Sequence, residues 1–139
     1  MRAFLLFLHF FGLMLGAAGG MASGFLMRRA AGMPPDQAQV IRGQGPFLAN
    51  VAAAGVALLW VTGLIMVFAY WSVDALRWPF WVKLVFVVIL TLATIAIHLT
   101  YSEIRRTGNV ALGQRLAKIG PVSGLAAILA VLFASIAFL

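Results

Sequence analysis

The chain has 139 residues, 64% of them hydrophobic and 9% charged, with a formal net charge of +7. A soluble domain cannot hide that much apolar surface, so the bilayer is the solvent this composition requires, and the length leaves room for about four spans of ~20–25 residues but for no soluble domain. With no cysteine, disulfides, thiolate metal sites, cysteine nucleophiles and iron–sulfur ligation by this chain are excluded.

The first apolar segment covers residues 4–27. Arg2 ahead of an apolar run resembles a signal peptide, but the run is too long for one and Arg28–Arg29 follow as a stop-transfer flank, so it reads as a retained span. Within "LHFFGLMLGAAGGMASG", glycines fall at Gly12, Gly16, Gly20 and Gly24. At about 100° per residue they line one face, and His9 falls inside the same stripe. Small residues every four positions let another backbone come close. The stripe is therefore a helix-packing seam or a groove for a flat cofactor or lipid.

The loop that follows, "RRAAGMPPDQAQVIRGQGP", is polar with a Pro-Pro break and can hold a short interfacial helix over 35–41. The second span covers residues 46–71, and the short loop "SVDALRW" makes it an antiparallel pair with the third, at 79–104. The third loop, "RRTGNVALGQRLAKIG", is basic and partly helical, and the fourth span covers 119–139.

The basic residues sit in loops and at span ends, so the positive charge reads as membrane topology rather than nucleic-acid binding. The first loop carries Arg28, Arg29 and Arg42; the third carries Arg105, Arg106, Arg115 and Lys118; the second has Arg77 offset by Asp74. Positive-inside then puts the first and third loops in the cytoplasm and both termini outside, as expected of a bacterial inner-membrane protein. Trp71, Trp78 and Trp81 mark the outer boundary.

On the third span Lys83, Thr91, Thr94, His98 and Tyr101 fall within an arc of about 80°, a polar stripe turned toward the protein interior. Each member has a plain structural reading. The threonines can bond back to their own helix, Lys83 can snorkel to headgroups, and Tyr101 can be a belt residue. His98 is either bonded to a neighbouring helix or a proton or ligand site.

Depth separates the two histidines. Counting 1.5 Å per residue, His9 lies roughly 9 Å below the outer boundary, Lys83 about 5 Å and His98 about 27 Å. Two axial ligands of one haem sit about 4 Å apart, which argues against a shared bis-histidine haem. Met66 and Tyr70 on the second span reach the level of His9 and Lys83, and these four form the expected outer-layer constellation. Asn50, Ser123 and His98 are expected to form an inner polar cluster.

Three stretches resemble a known family. "LHFFGLMLGAAGG" resembles the first span of HemJ-type protoporphyrinogen oxidases, in which a histidine follows the first apolar residues. "WPFWVKLVFVVIL" resembles that family's third span, opened by a tryptophan and a lysine, and "WVTGL" is similar to the threonine–glycine–leucine of CopD-type and related four-span membrane proteins. The resemblance implies haem b held by His9, and Lys83 as the basic partner of a porphyrinogen substrate or a propionate. Copper handling of the CopD kind has no support in Met14, Met21, Met27 and Met66, which are scattered and suit packing.

The expected fold is an all-α, antiparallel four-helix transmembrane bundle forming a single domain. The expected function is haem-b redox chemistry, with His9, Met66 and His98 as candidate cofactor ligands, His9 as the candidate metal ligand, and Lys83 and Tyr70 as candidate catalytic groups. Two other readings stand beside it. One is an accessory subunit, or a homo-oligomer, packing against a larger membrane complex through the glycine stripe. The other is a proton or metal transporter that would need an oligomer. Hydrolysis has little support, because Asp36 and Asp74 are in loops and Glu103 lies beside Arg105 and Arg106. Phosphate-loop and dinucleotide fingerprints are absent, and no nucleic-acid partner is expected.

Overall fold

In hydrocarbon every backbone N–H and C=O must find its partner inside the protein, so apolar segments of this length become helices. The computed structural model describes residues 1–137. It is 91% helical and holds no strand among those residues. Five helices follow in order: α1 (Arg2–Ala31), α2 (Pro35–Arg42), α3 (Gly45–Tyr70), α4 (Trp78–Thr107) and α5 (Gly113–Ala137). Single 3-10 turns lie at Val73–Ala75 and Val110–Leu112. Four of the helices, all but the eight-residue α2, are long and apolar enough to cross a membrane, and the chain is an all-α four-helix bundle and an integral membrane protein.

Chain punctuation follows residue chemistry. Proline, which lacks an N–H, stands in the first turn of α2, α3 and α4, where that N–H has no helical partner. Gly108, at φ 70, closes α4 in the left-handed region and returns its N–H to the Ile104 carbonyl. The helices outrun the expected spans: α4 continues to Thr107 and α5 begins at Gly113 rather than 119. A 30-residue helix is about 45 Å long against about 30 Å of hydrocarbon, so the ends of α1 and α4 carry Arg28, Arg29, Arg105 and Arg106 beyond the apolar layer. Positions 138 and 139 of the expected fourth span lie outside the described residues.

Packing is uneven around the bundle. α1 lies between α3 and α5, and α4 packs along α5, while α3 and α4, though joined by the short loop, meet only slightly. The glycine stripe explains the tight side. A methyl placed on Gly12 would stand 2.7 Å from the Gly55 carbonyl oxygen, and one on Gly19 2.7 Å from the Leu48 carbonyl oxygen, both on α3. One on Gly24 would stand 3.0 Å from the Gly120 Cα on α5, and Gly20 faces Ser123 of the same helix. The N-terminal part of the α1 glycine face thus seats α3 and the C-terminal part seats α5. No groove for a flat ligand remains along it, because backbone and small side chains of α3 and α5 fill the space.

Two apolar clusters fill the middle. One joins Val56 and Leu59 to Val87, Leu90 and Ala127; the other joins Met27, Ala49, Ile97, Tyr101 and Leu116. Facing outward are Phe68, Val85, Leu92, Leu99, Leu125 and Ile128, all more than half exposed. So large an apolar exterior fits lipid and not water.

α5 contains Pro121, which cannot donate to the carbonyl one turn back. That carbonyl, Ala117 O, accepts a bond of 3.0 Å from the Arg28 guanidinium at the end of α1. A cation therefore satisfies the acceptor that the proline orphans, and it ties α1 to α5 at the basic end.

Candidate functional site

Where α3 and α4 diverge, a cavity of about 600 Å³ opens toward the end of the bundle that holds the 72–78 loop. Its walls are mostly apolar: Leu6, Leu59, Val67, Phe80, Leu84 and Ala130 are among them. The polar groups along it include Arg2, His9, Trp60 and Lys83. Volumes of about 300–1,000 Å³ with few polar groups on apolar walls are typical of small-molecule sites.

His9 is 8% exposed and faces α3 one turn before Gly12. Its Nδ1 lies 3.0 Å from Thr62 Oγ1. Thr62 has one hydroxyl proton, and that proton goes to the Leu58 carbonyl at 2.6 Å. The ring must therefore donate Nδ1–H to Thr62, which leaves Nε2 as the nitrogen with the lone pair. Gly63 makes room for the ring, since a methyl there would stand 3.1 Å from His9 Cε1. "TG" at 62–63 thus supplies an anchor and a recess in consecutive residues.

Lys83 lines the same cavity, with its Nζ 5.5 Å from the Phe80 ring centroid. Met66, one turn beyond Thr62 on α3, also lines it. Arg2 also lines it, its guanidinium 5.8 Å from the ring centroids of both Tyr70 and Trp71. The structure therefore brings His9, Lys83 and Met66 around one space. Tyr70 is not among the cavity-lining residues: it is the last residue of α3, 40% exposed beneath Arg2.

His98 belongs to another layer. Its Nε2–H donates to the Ala49 carbonyl at 2.9 Å, strapping α4 to α3. His9 bonds to residue 62 of α3 and His98 to residue 49, thirteen residues apart, which is about 20 Å along the helix. The two rings do not share a site. The inner cluster expected of Asn50, Ser123 and His98 does not form. Asn50 is exposed, because the face of α3 turned inward at that level belongs to Ala49, and the next residue is rotated away by about 100°. Ser123 Oγ is fully buried beside Gly20 with no hydrogen-bond partner among the described residues. The inner polar contact is instead Ser23 Oγ with Tyr101 OH at 2.5 Å, so Tyr101 is a buried strut and not a belt residue.

The polar stripe of α4 is largely self-satisfied. Thr91 and Thr94 donate to the carbonyl four residues back at 2.8 and 2.9 Å, and Thr100, off the stripe, does the same at 2.7 Å. Thr91 also accepts from Trp60 Nε1 at 2.9 Å, a bond across the floor of the diverging α3–α4 pair. Arg2, Trp60 and Thr62 join the site, although the sequence singled out Trp60 and Thr62 only within "WVTGL" and Arg2 only as a flank of the first span. A threonine followed directly by the glycine that makes room for its histidine partner is a recognisable signal only once α1 is known to lie on α3.

No group of three or more His, Asp or Glu side chains able to hold a metal ion occurs among the described residues. A metal here would have to bring most of its own donors, as a macrocycle does. Comparison with known protein families, with curated proteins and with solved structures found no match for this chain.

Proposed function

We propose that the chain is an integral membrane haem-b redox protein in which His9 would hold the haem, similar in kind to HemJ-type protoporphyrinogen oxidases. The observation that carries this reading is the His9–Thr62–Leu58 chain of hydrogen bonds at the wall of the apolar cavity. A ligating histidine needs its second nitrogen tied to a fixed acceptor, so that tautomer and ring plane are set before the metal arrives. Thr62 does that for Nδ1. The donor set fits a group that asks the protein for one or two ligands, and the Met66 thioether, a soft donor, also lines the cavity. Haem b in this place would supply one-electron redox chemistry.

The remaining residues orient and enclose. Arg2 and Lys83 place two cations on the cavity wall, suited to the carboxylates of a propionate or of a tetrapyrrole substrate. Leu59, Phe80 and Val87 line the same cavity and keep its wall apolar. Positive-inside places this end of the bundle outside and the Arg-rich end in the cytoplasm of a bacterial inner membrane. An accessory role remains the other proposal, and it needs a surface other than the glycine stripe, which α3 and α5 of the same chain cover.

The test is a haem titration of the purified protein. Wild type takes up one haem, and His9→Leu takes up none while keeping its helical circular dichroism. Equal uptake by the two proteins refutes the assignment.

A further inference from the structure

The basic end of the bundle holds a second recess, of about 650 Å³, between the end of α1, the end of α2 and the first turns of α5. Three cations border it: Arg28, Arg42 and Lys118. None of the chain's three carboxylates lines it, and one of these, Glu103, lies 3.8 Å from Arg115 instead. The first residues of α5, Gly113 and Gln114, form part of the wall, so the positive end of that helix dipole adds to the field. Met27, Ala31 and Ala117 make the rest of it small and largely apolar.

Arg28 is fixed in place here. Its bond to the Ala117 carbonyl holds the guanidinium against α5, and a guanidinium has five N–H donors, of which this bond uses one. The recess sits where α1 leaves its apolar run for Arg28 and Arg29, and in a bilayer the end of such a span meets the headgroup region.

We propose that this recess binds the phosphate of an anionic phospholipid headgroup. The cations and the α5 N-terminus take the phosphate oxygens, and the alanine and methionine wall takes the glycerol end of the lipid. Basic pockets between membrane helices recognise such headgroups. The site is independent of the cavity at the other end of the bundle and of any cofactor there.

The test is native mass spectrometry of the detergent-solubilised protein titrated with phosphatidylglycerol and, separately, with phosphatidylcholine. Wild type holds one phosphatidylglycerol in preference to phosphatidylcholine. The double variant Arg42→Gln/Lys118→Gln, which spares the Arg28 bond, weakens that adduct about thirty-fold, each cation near a lipid surface contributing about fivefold. Arg105→Gln/Arg106→Gln removes the same charge from the same end but outside the recess, and it changes the adduct by less than about threefold. Equal losses in the two double variants, or no preference in wild type, overturn the proposal. Inorganic phosphate in large excess leaves the lipid adduct in place; displacement by phosphate overturns the lipid assignment.

Discussion

A single methyl group added along the glycine stripe tests the packing account, because neighbouring glycines face different kinds of atoms. At Gly12 a methyl would meet the Gly55 carbonyl oxygen at 2.7 Å and the Leu59 nitrogen at 2.9 Å, where ordinary contact begins at 3.4 Å. Both obstacles are backbone, so α1 and α3 must part by the 0.7 Å between 2.7 and 3.4 Å. Overpacking of this kind costs about 1–3 kcal/mol, offset by up to about 1 kcal/mol from replacing a helical glycine with alanine. Gly12→Ala should therefore lose about 1–2 kcal/mol. At Gly16 the nearest atom is Val56 Cγ2 at 3.2 Å and the nearest backbone atom lies at 3.6 Å, so the 0.2 Å between 3.2 and 3.4 Å suffices. Gly16→Ala should stay within about 0.5 kcal/mol of wild type. The assay is unfolding in mixed micelles at rising denaturant, followed by fluorescence of the four tryptophans. If Gly12→Ala proves as stable as Gly16→Ala, backbone approach does not set the spacing of α1 and α3.

Arg28→Met should cost about 1 kcal/mol by orphaning the Ala117 carbonyl, and the cost should vanish in a Pro121→Ala background, where the helix supplies its own donor; a double-mutant cycle by the same unfolding assay shows coupling or refutes it. Ser123→Ala removes a buried hydroxyl without a partner and should leave the protein as stable or raise it by about 1 kcal/mol, whereas a loss of that size would reveal a bond that the buried serine makes. Thr62→Val keeps the shape of α3 but removes the acceptor for His9 Nδ1–H, so haem affinity in an equilibrium titration should fall about 10–100-fold, and an unchanged affinity would mean that the ring needs no such orientation.

The architecture was legible because each apolar run is long and each break is chemical: Pro-Pro at 34–35, the 72–78 loop, and Gly108. Periodicity also placed His9, Lys83 and Met66 at one level, since depth along a helix is counted in residues. Cross-helix pairing was not legible. Which side chain answers His9, Tyr101 or Trp60 depends on which helices touch, and a lipid-facing and a protein-facing leucine are the same letter. Ser23 was therefore passed over, Thr62 stood out only within "WVTGL" and not as a partner of His9, and Asn50 was placed inward although α3 turns it out. Tyr70 shares the level of the cavity but not its face. One pairing had a signal that could have been used. A proline inside a span frees the carbonyl one turn back, and a basic residue at the end of another span is a ready donor.

The central claim, that the cavity beside His9 holds haem b, is tested most directly by one absorption spectrum of the purified protein, oxidised and then reduced with dithionite. The account predicts a Soret band that shifts on reduction and is missing from His9→Leu. A wild-type protein with no Soret band as isolated, and none after haem is supplied, contradicts it.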